Sequence, residues 1–285
     1  MGKVSTSIVK SSFSKKNCAN YKLSILYGID SLSYCILDAE NEILVLKKYH
    51  FFSSNIHDQP PPNINFLKEV WDQDDLLNLN FSQIKISLIH PHYTIIPSRL
   101  YKISHKNAYL DPLKNGSETI TVSKVNNLSA IDAKLIFSVP KLILEFFETT
   151  YGEKVQFINN FTALINGIAR QMDHFSDQHI WLNVHPGIVQ ILLFDNKTLI
   201  FSNQFSFKSD KDFLYFVMLV YKEFKLNPKT IPLHISGQLV KESAIYKNLD
   251  RYIENINFTD IPENFLLSKD LTESPFYFFF DLLSV

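Results

Sequence analysis

Short apolar runs come in threes along this chain, and the trio occurs twice. Residues 22–30 alternate Leu23, Ile25, Tyr27 and Ile29 with smaller or polar positions, the period of a half-buried strand. Residues 33–38 are more continuously apolar, as a central strand would be, and the polar turn Asp38-Ala39-Glu40-Asn41 leads to a third run at 42–52. A second trio follows at 178–184, 188–195 and 198–207, with a turn at Asp195-Asn196-Lys197. Each trio feeds a helical pattern, 64–77 in the first copy and 211–224 in the second. A short apolar strand comes next, 84–90 and 231–236 respectively. The expectation is an α/β fold with a duplicated β-β-β-α-β core.

Between these repeats the pattern changes. Residues 53–63 form a loop with a triple proline at 60–62, which blocks helix and ladder alike. Residues 94–129 carry Pro97, Pro112, Asn115-Gly116 and short β-branched stretches, and read as a small inserted subdomain at about 98–130. Residues 134–139 then return to a buried strand. A helix follows over 140–151, with Pro140 in its first turn and Gly152 at its stop. Residues 155–158 are a short strand, and Asn160 can cap a helix over 161–172. In the second half Ser209 or Asp210 caps the 211–224 helix, 241–249 is helical and 252–258 is strand-like. The expected organisation is a polar leader at 1–20, a first lobe at 21–172 and a second lobe at 173–285 ending in an aromatic tail.

Composition narrows the function classes. The 285 residues suit about two domains, and a hydrophobic content of 46% supplies their cores. The net charge of −1, from 28 Lys+Arg and 29 Asp+Glu, argues against a nucleic-acid surface or a polybasic membrane footprint. Cys18 and Cys35 do not make a secreted disulfide scaffold. Residues 1–20 lack an apolar signal core, and no run reaches the roughly 20 apolar residues that span a bilayer. A cytoplasmic protein without a membrane span is expected, and the Asn-x-Ser/Thr triplets such as Asn160-Phe161-Thr162 are then chance matches.

Particular residues carry a resemblance. Leu23-Ser24-Ile25, Gly28-Ile29-Asp30-Ser31-Leu32-Ser33-Tyr34, the run from His90-Pro91-His92-Tyr93 to Arg99-Leu100-Tyr101, Asn107-Ala108-Tyr109-Leu110, Ile136-Phe137-Ser138-Val139-Pro140 and Phe280-Asp281-Leu282-Leu283-Ser284 are similar to a family of uncharacterised bacterial proteins. That family is assigned to the two-lobed actin-like ATPase fold, ribonuclease-H-like and duplicated, which actin, sugar kinases and the large heat-shock chaperones share. The resemblance implies two hairpins that grip phosphate and a glycine-rich loop that contacts adenosine. The first hairpin should read Gly-Ile-Asp-x-Gly. Here Gly28, Ile29, Asp30, Ser31 and Ser33 are kept, and Leu32 stands where backbone must approach phosphate. The second should read Asp-x-Gly-Gly-Gly-Thr. Here it is Asn183-Val184-His185-Pro186-Gly187-Ile188, with the metal-ordering acid lost and Pro186 lacking a donor. The adenosine loop is Ile235-Ser236-Gly237-Gln238, with one glycine in place of a pair.

Phosphoryl transfer rests on positioning and on charge stabilisation by such loops and a metal. Their loss implies a non-catalytic relative with no cofactor, no catalytic residue and no metal site. The candidate interlobe-cleft positions are Asp30, Ser31, Ser33, Asn183, His185, Gly187, Gly237 and Gln238. For each, a plain structural role competes with ligand contact. Asp30 stabilises its own turn through Ser31 or Ser33 on the bland reading. His90-Pro91-His92 lacks the further ligands that zinc needs. Arg99 faces a cleft or pairs at the surface. The aromatic run 276–280 docks on the core or reaches a partner. The expected role is a cytoplasmic protein-interaction platform with an unknown protein partner. The alternatives are a divergent ATP-binding or ATP-hydrolysing protein using Asp30, and a small-molecule-binding protein.

Overall fold

The computed structural model describes residues 3–50, 64–113, 120–171, 177–260, 265 and 275–285. The triple proline, the Asn115-Gly116 turn and Met172 at the expected helix end lie outside the described residues. The described chain divides into two compact units. One runs to Asn166 and includes Leu282–Val285; the other runs from Gly167 through the second half to Asp281.

The first unit contains β1 (Lys3–Val9), β2 (Lys22–Tyr27), β3 (Ser31–Leu37), β4 (Ile43–His50), α1 (Ile64–Gln73), β5 (Gln83–Leu88), β6 (Tyr93–Pro97), β7 (Thr121–Leu128), β8 (Ala133–Pro140), α2 (Lys141–Tyr151) and β9 (Val155–Asn159). Then α3 (Asn160–Gln171) leads into β10 (Gln178–His185), β11 (Ile188–Asp195), β12 (Thr198–Ser206), α4 (Asp210–Glu223), β13 (Leu233–Gly237), α5 (Ala244–Asp250), β14 (Ile256–Phe258) and α6 (Phe280–Leu283).

The duplication is real at the level of topology. The first sheet has the order β1-β4-β3-β2-β5-β9 and the second β12-β11-β10-β13-β14. In both, three strands form an antiparallel meander, and two more add in parallel beside the first of them. The parallel members need crossovers, and α1 and α4 lie in those connections. In the second unit α4 turns Phe213, Val217, Val220 and Tyr221 onto Ile180, Leu182, Ile191, Leu233 and Ile235 of the sheet.

Three sequence expectations are corrected. The polar leader over 1–20 contributes β1, which pairs antiparallel along β4. Its Val4, Thr6, Ile8 and Val9 are β-branched and fit an edge strand despite the polar residues between them. The insertion is wider than 98–130. The strand at 134–139 is the middle member of a separate sheet ordered β6-β8-β7, so the subdomain spans 93–140. Apolar periodicity reports that a strand is buried, not which sheet buries it. The cap on α3 comes from Asn159, whose Oδ1 accepts from the Phe161 N–H at 3.0 Å, rather than from Asn160.

Helix α1 stops at Gln73, short of the expected 77, because Asp74 has other work. Its carboxylate caps a following 3-10 turn by accepting from the Leu76 N–H at 3.2 Å. It also accepts from the Tyr34 hydroxyl at 2.6 Å, from the Tyr49 hydroxyl, and from Lys47 Nζ at 3.0 Å. Asp74 is buried, so these donors replace the water it has lost. Burial alone would raise its pKa, but the Tyr34, Tyr49 and Lys47 interactions outweigh this and hold the carboxyl below its ordinary value.

Asp74→Ala should therefore destabilise the protein by about 3 kcal/mol in urea unfolding, since two buried hydroxyls and a lysine lose their acceptor. The exposed neighbour Asp75, changed to Ala, should cost no more than about 0.5 kcal/mol. The folded carboxyl binds its proton less readily than the unfolded one. The Asp74 contribution is thus fully present above the unfolded value of 3.8 and is lost as pH falls through the folded one. The Asp74→Ala penalty should shrink in the same acidic range.

Candidate functional site

The first hairpin turn lies between β2 and β3. The Gly28 N–H donates to the Ser31 carbonyl at 2.8 Å and closes the turn. Asp30 is 9% exposed. Its Oδ1 accepts from the Ser31 hydroxyl at 2.9 Å, and its Oδ2 lies 3.7 Å from His50 Nδ1. Ser31 is thus the partner that holds the Asp30 carboxylate in its turn. Leu32 and Ser33 are not at the apex. They are strand residues of β3 opposite Tyr27 and Leu26, and Leu32 is wholly buried. The side chain at the missing glycine position belongs to the hydrophobic core of this unit.

The second hairpin joins β10 to β11 through Pro186-Gly187, with Gly187 at φ 72°. Proline followed by a residue of positive φ is the chemistry of a type II turn. On β10 the residues facing one way are His179, Trp181, Asn183 and His185, and those facing the other way are Ile180, Leu182 and Val184 of the α4-packed core. The polar face is closed by a carboxylate from the far end of the chain. Asp281, with no exposed surface, accepts at Oδ2 from Asn183 Nδ2 at 3.1 Å and from His185 Nε2 at 3.0 Å. The second Asn183 N–H donates to Gln190 Oε1 at 2.9 Å, and the Ser236 hydroxyl donates to Asn183 Oδ1 at 3.0 Å. The Asn183 amide is thereby engaged at both its nitrogen and its oxygen.

Gly237 and Gln238 end β13 against the same strand. The Gln238 N–H donates to the Val184 carbonyl at 2.7 Å. Gly237 has φ +81°, and a Cβ there would stand 2.2 Å from the Val184 oxygen and 2.7 Å from its nitrogen. Gly237 is a glycine that the backbone crossing itself requires.

Two buried histidines were missed in the sequence. His179 Nδ1 lies 3.0 Å from His234 Nε2, and the His234 ring stacks on Trp181 with centroids 4.3 Å apart. Burial, helped by His179, lowers the His234 pKa to about 4. Spacing on β10 gave a signal, because His179 is in phase with Asn183 and His185. Its partner His234 lies 55 residues away on β13. The aromatic run docks: Phe276, Phe279 and Phe280 are buried, Tyr277 packs on Phe258 at 4.3 Å, and Phe280 stacks over Trp181. In the first unit His90 Nδ1 accepts from the His92 backbone N–H at 3.3 Å, while Arg99 is exposed. Among the described residues no three His, Cys, Asp or Glu side chains form a metal-binding group, and no helix is long and apolar enough to cross a membrane.

Comparison with solved structures places this architecture. The chain is similar to a Bacteroides thetaiotaomicron protein with an actin-like ATPase fold and unknown function, at 20% identity and a TM-score of 0.78 over 87% of this chain and 94% of that one. It is also similar to a chain of a PilM–PilN type IV pilus biogenesis complex, at 12% identity and a TM-score of 0.62 over 92% and 96%. The protein has the two-lobed actin-like α/β fold. It belongs to the DUF3822 family of proteins of unknown function, whose model matches residues 10–256. None of the curated proteins matches the sequence.

Gly237→Ala should cost at least about 3 kcal/mol, because the new Cβ meets backbone that cannot rotate away. Gly152 also has positive φ, but nothing lies within 4 Å of its would-be Cβ, so Gly152→Ala should cost only about 1 kcal/mol of strain. Thermal unfolding of the two variants measures the difference. Histidine protonation makes a second prediction. The pKa of His90 is also lowered to about 4, by burial and then by His92. Both rings stay neutral when folded, while the unfolded chain takes up protons near 6.5. Stability should fall between pH 6.5 and 4, by up to about 1.4 kcal/mol per pH unit for each ring. His234→Gln should flatten that slope.

Proposed function

We propose that this protein is a non-catalytic member of the actin-like fold that works as a protein-interaction platform in the cytoplasm. The observation that carries the reading is the commitment of Asn183. It stands where an acid would order a metal's hydration shell, and its amide is engaged by Gln190, Asp281 and Ser236. Pro186 removes a backbone donor from the same hairpin, and Leu32 belongs to the core at the corresponding glycine of the first. Asp30 is engaged by Ser31, which leaves the divergent-ATPase reading without a carboxylate set for metal.

A fold without its phosphate loops keeps its surface. Leu100, Ile103, Ile120 and Leu142 are 59%, 81%, 70% and 65% exposed, all in or beside the insertion. Large apolar side chains held in solvent favour burial against a partner. The PilM–PilN complex is a precedent for an actin-like chain that assembles with another protein. The two described cysteines are buried and unpaired, in keeping with a reducing compartment.

The test is capture from native lysate, followed by reconstitution with the captured protein. A stoichiometric partner should bind the wild type, and Leu100→Asp with Ile103→Asp should weaken it by at least about tenfold. Both positions are exposed, so unfolding will not mimic the effect. Absence of any saturable protein partner, or a partner indifferent to these changes and to Ile120→Asp and Leu142→Asp, would contradict the reading.

A further inference from the structure

The inserted subdomain holds a cavity. It has a volume of about 360 Å³ and is lined by His92, Lys106, Asn107, Leu110, Thr121, Val122, Ser123 and Ser138. That volume is at the lower end of small-molecule sites, which run from about 300 to 1,000 Å³. The lining is chemically one-sided. It offers one ammonium, one imidazole, one amide and three hydroxyls, and among the described residues no carboxylate. Lys106 has no ion-pair or hydrogen-bond partner for its ammonium among the described residues. Two other lysines of this unit are paired, Lys10 with Glu42 and Lys47 with Asp74.

The walls are built rather than incidental. The Ser138 N–H donates to the His92 carbonyl at 3.1 Å, which extends the β6–β8 ladder and fixes the His92 backbone. His90 stands behind this wall, its Nδ1 receiving the His92 N–H and lying 3.3 Å from the Ser138 hydroxyl. The ring stays neutral near pH 7, so Nδ1 is an acceptor and fixes the orientation of that buried hydroxyl. The opposite wall is held by Tyr109. Its phenol donates to the Leu100 carbonyl at 3.2 Å and accepts from the Lys102 N–H at 3.0 Å, while Leu110 is anchored at 3% exposure. The segment that presents Lys106 and Asn107 is thus clasped before any ligand arrives, which lowers the ordering cost of binding.

We propose that this cavity is a binding site for a small oxyanion-bearing molecule, a phosphate ester or a carboxylate, with Lys106 as the charge partner and Ser123, Thr121 and Asn107 as hydrogen-bond partners. A lone ammonium in a rim of neutral donors favours an anion because each N–H or O–H bond to a charged acceptor is worth about twice a neutral one. Among the described lining residues a cation would find no carboxylate. The proposal does not depend on the platform reading, since neither hairpin nor the exposed Leu100 and Ile103 side chains contribute to the lining.

The experiment titrates full-length protein with inorganic phosphate and, separately, with succinate, at constant ionic strength set with sodium chloride. Saturable binding in the millimolar range or tighter is expected for at least one probe, and which one distinguishes the phosphate ester from the carboxylate. Lys106→Met should weaken it by about tenfold or more, while loss of the exposed Lys16, as Lys16→Met, should leave it unchanged. Amine labelling of the wild type supplies a readout independent of variant folding: the bound probe should protect Lys106 and not Lys16. Failure of both probes to saturate, equal weakening by the two lysine variants, or protection spread over all lysines would overturn the proposal.

Discussion

A carboxylate with no exposed surface must be answered inside the protein, and Asp281 sets that demand on the second unit. Asn183 and His185 of the first strand answer it, and Gln190 and Ser236 complete their hydrogen bonding. The last helix is thereby tied to β10 and its hairpin. Leaving any of these groups unpaired would cost about 1–3 kcal/mol, so the network is kept whole or replaced whole. Phe276, Phe279 and Phe280 add apolar burial to the same attachment.

The two hairpins commit their polar groups in different ways. In the first, Gly28 and Asp30 form the turn, and the residues after it are strand. Leu32 is core, and Ser31 serves the Asp30 carboxylate. In the second, the geometry of a tight turn survives as Pro186-Gly187, and the polar side chains have turned to Asp281. Gly237 has kept its residue type for a local reason, the passage of β13 across Val184. A retained glycine or acid in such a chain is accounted for by its immediate neighbours.

Much of the fold was legible because each trio combines period-2 apolar runs with short polar turns, and the helices bring their own caps, such as Ser209 on the Asp212 N–H. β2 and β10 share an arrangement, with an antiparallel neighbour that follows from those turns and a parallel one that follows from the helical crossover. What stayed hidden depends on distance in sequence. The pairing of β1 with β4, the placing of β8 in the small sheet, and the carboxylate of Asp281 98 residues from Asn183 leave no local signature. The halt of α1 at Asp74 is of the same kind, since Tyr34 and Tyr49 lie 40 and 25 residues away. The candidate residues Asn183 and His185 came together through the resemblance, and in the structure both bond to Asp281. What they were waiting for could be seen only once the chain end was in place.

The central claim is that the hydrogen-bonding capacity of the two hairpins is spent within the protein. Isothermal calorimetry with Mg-ATP on the full-length wild type measures this directly. The account predicts no heat of binding with nucleotide in the micromolar range. Saturable binding at those concentrations, accompanied by turnover that Asp30→Asn abolishes while leaving the thermal melt unchanged, would contradict it.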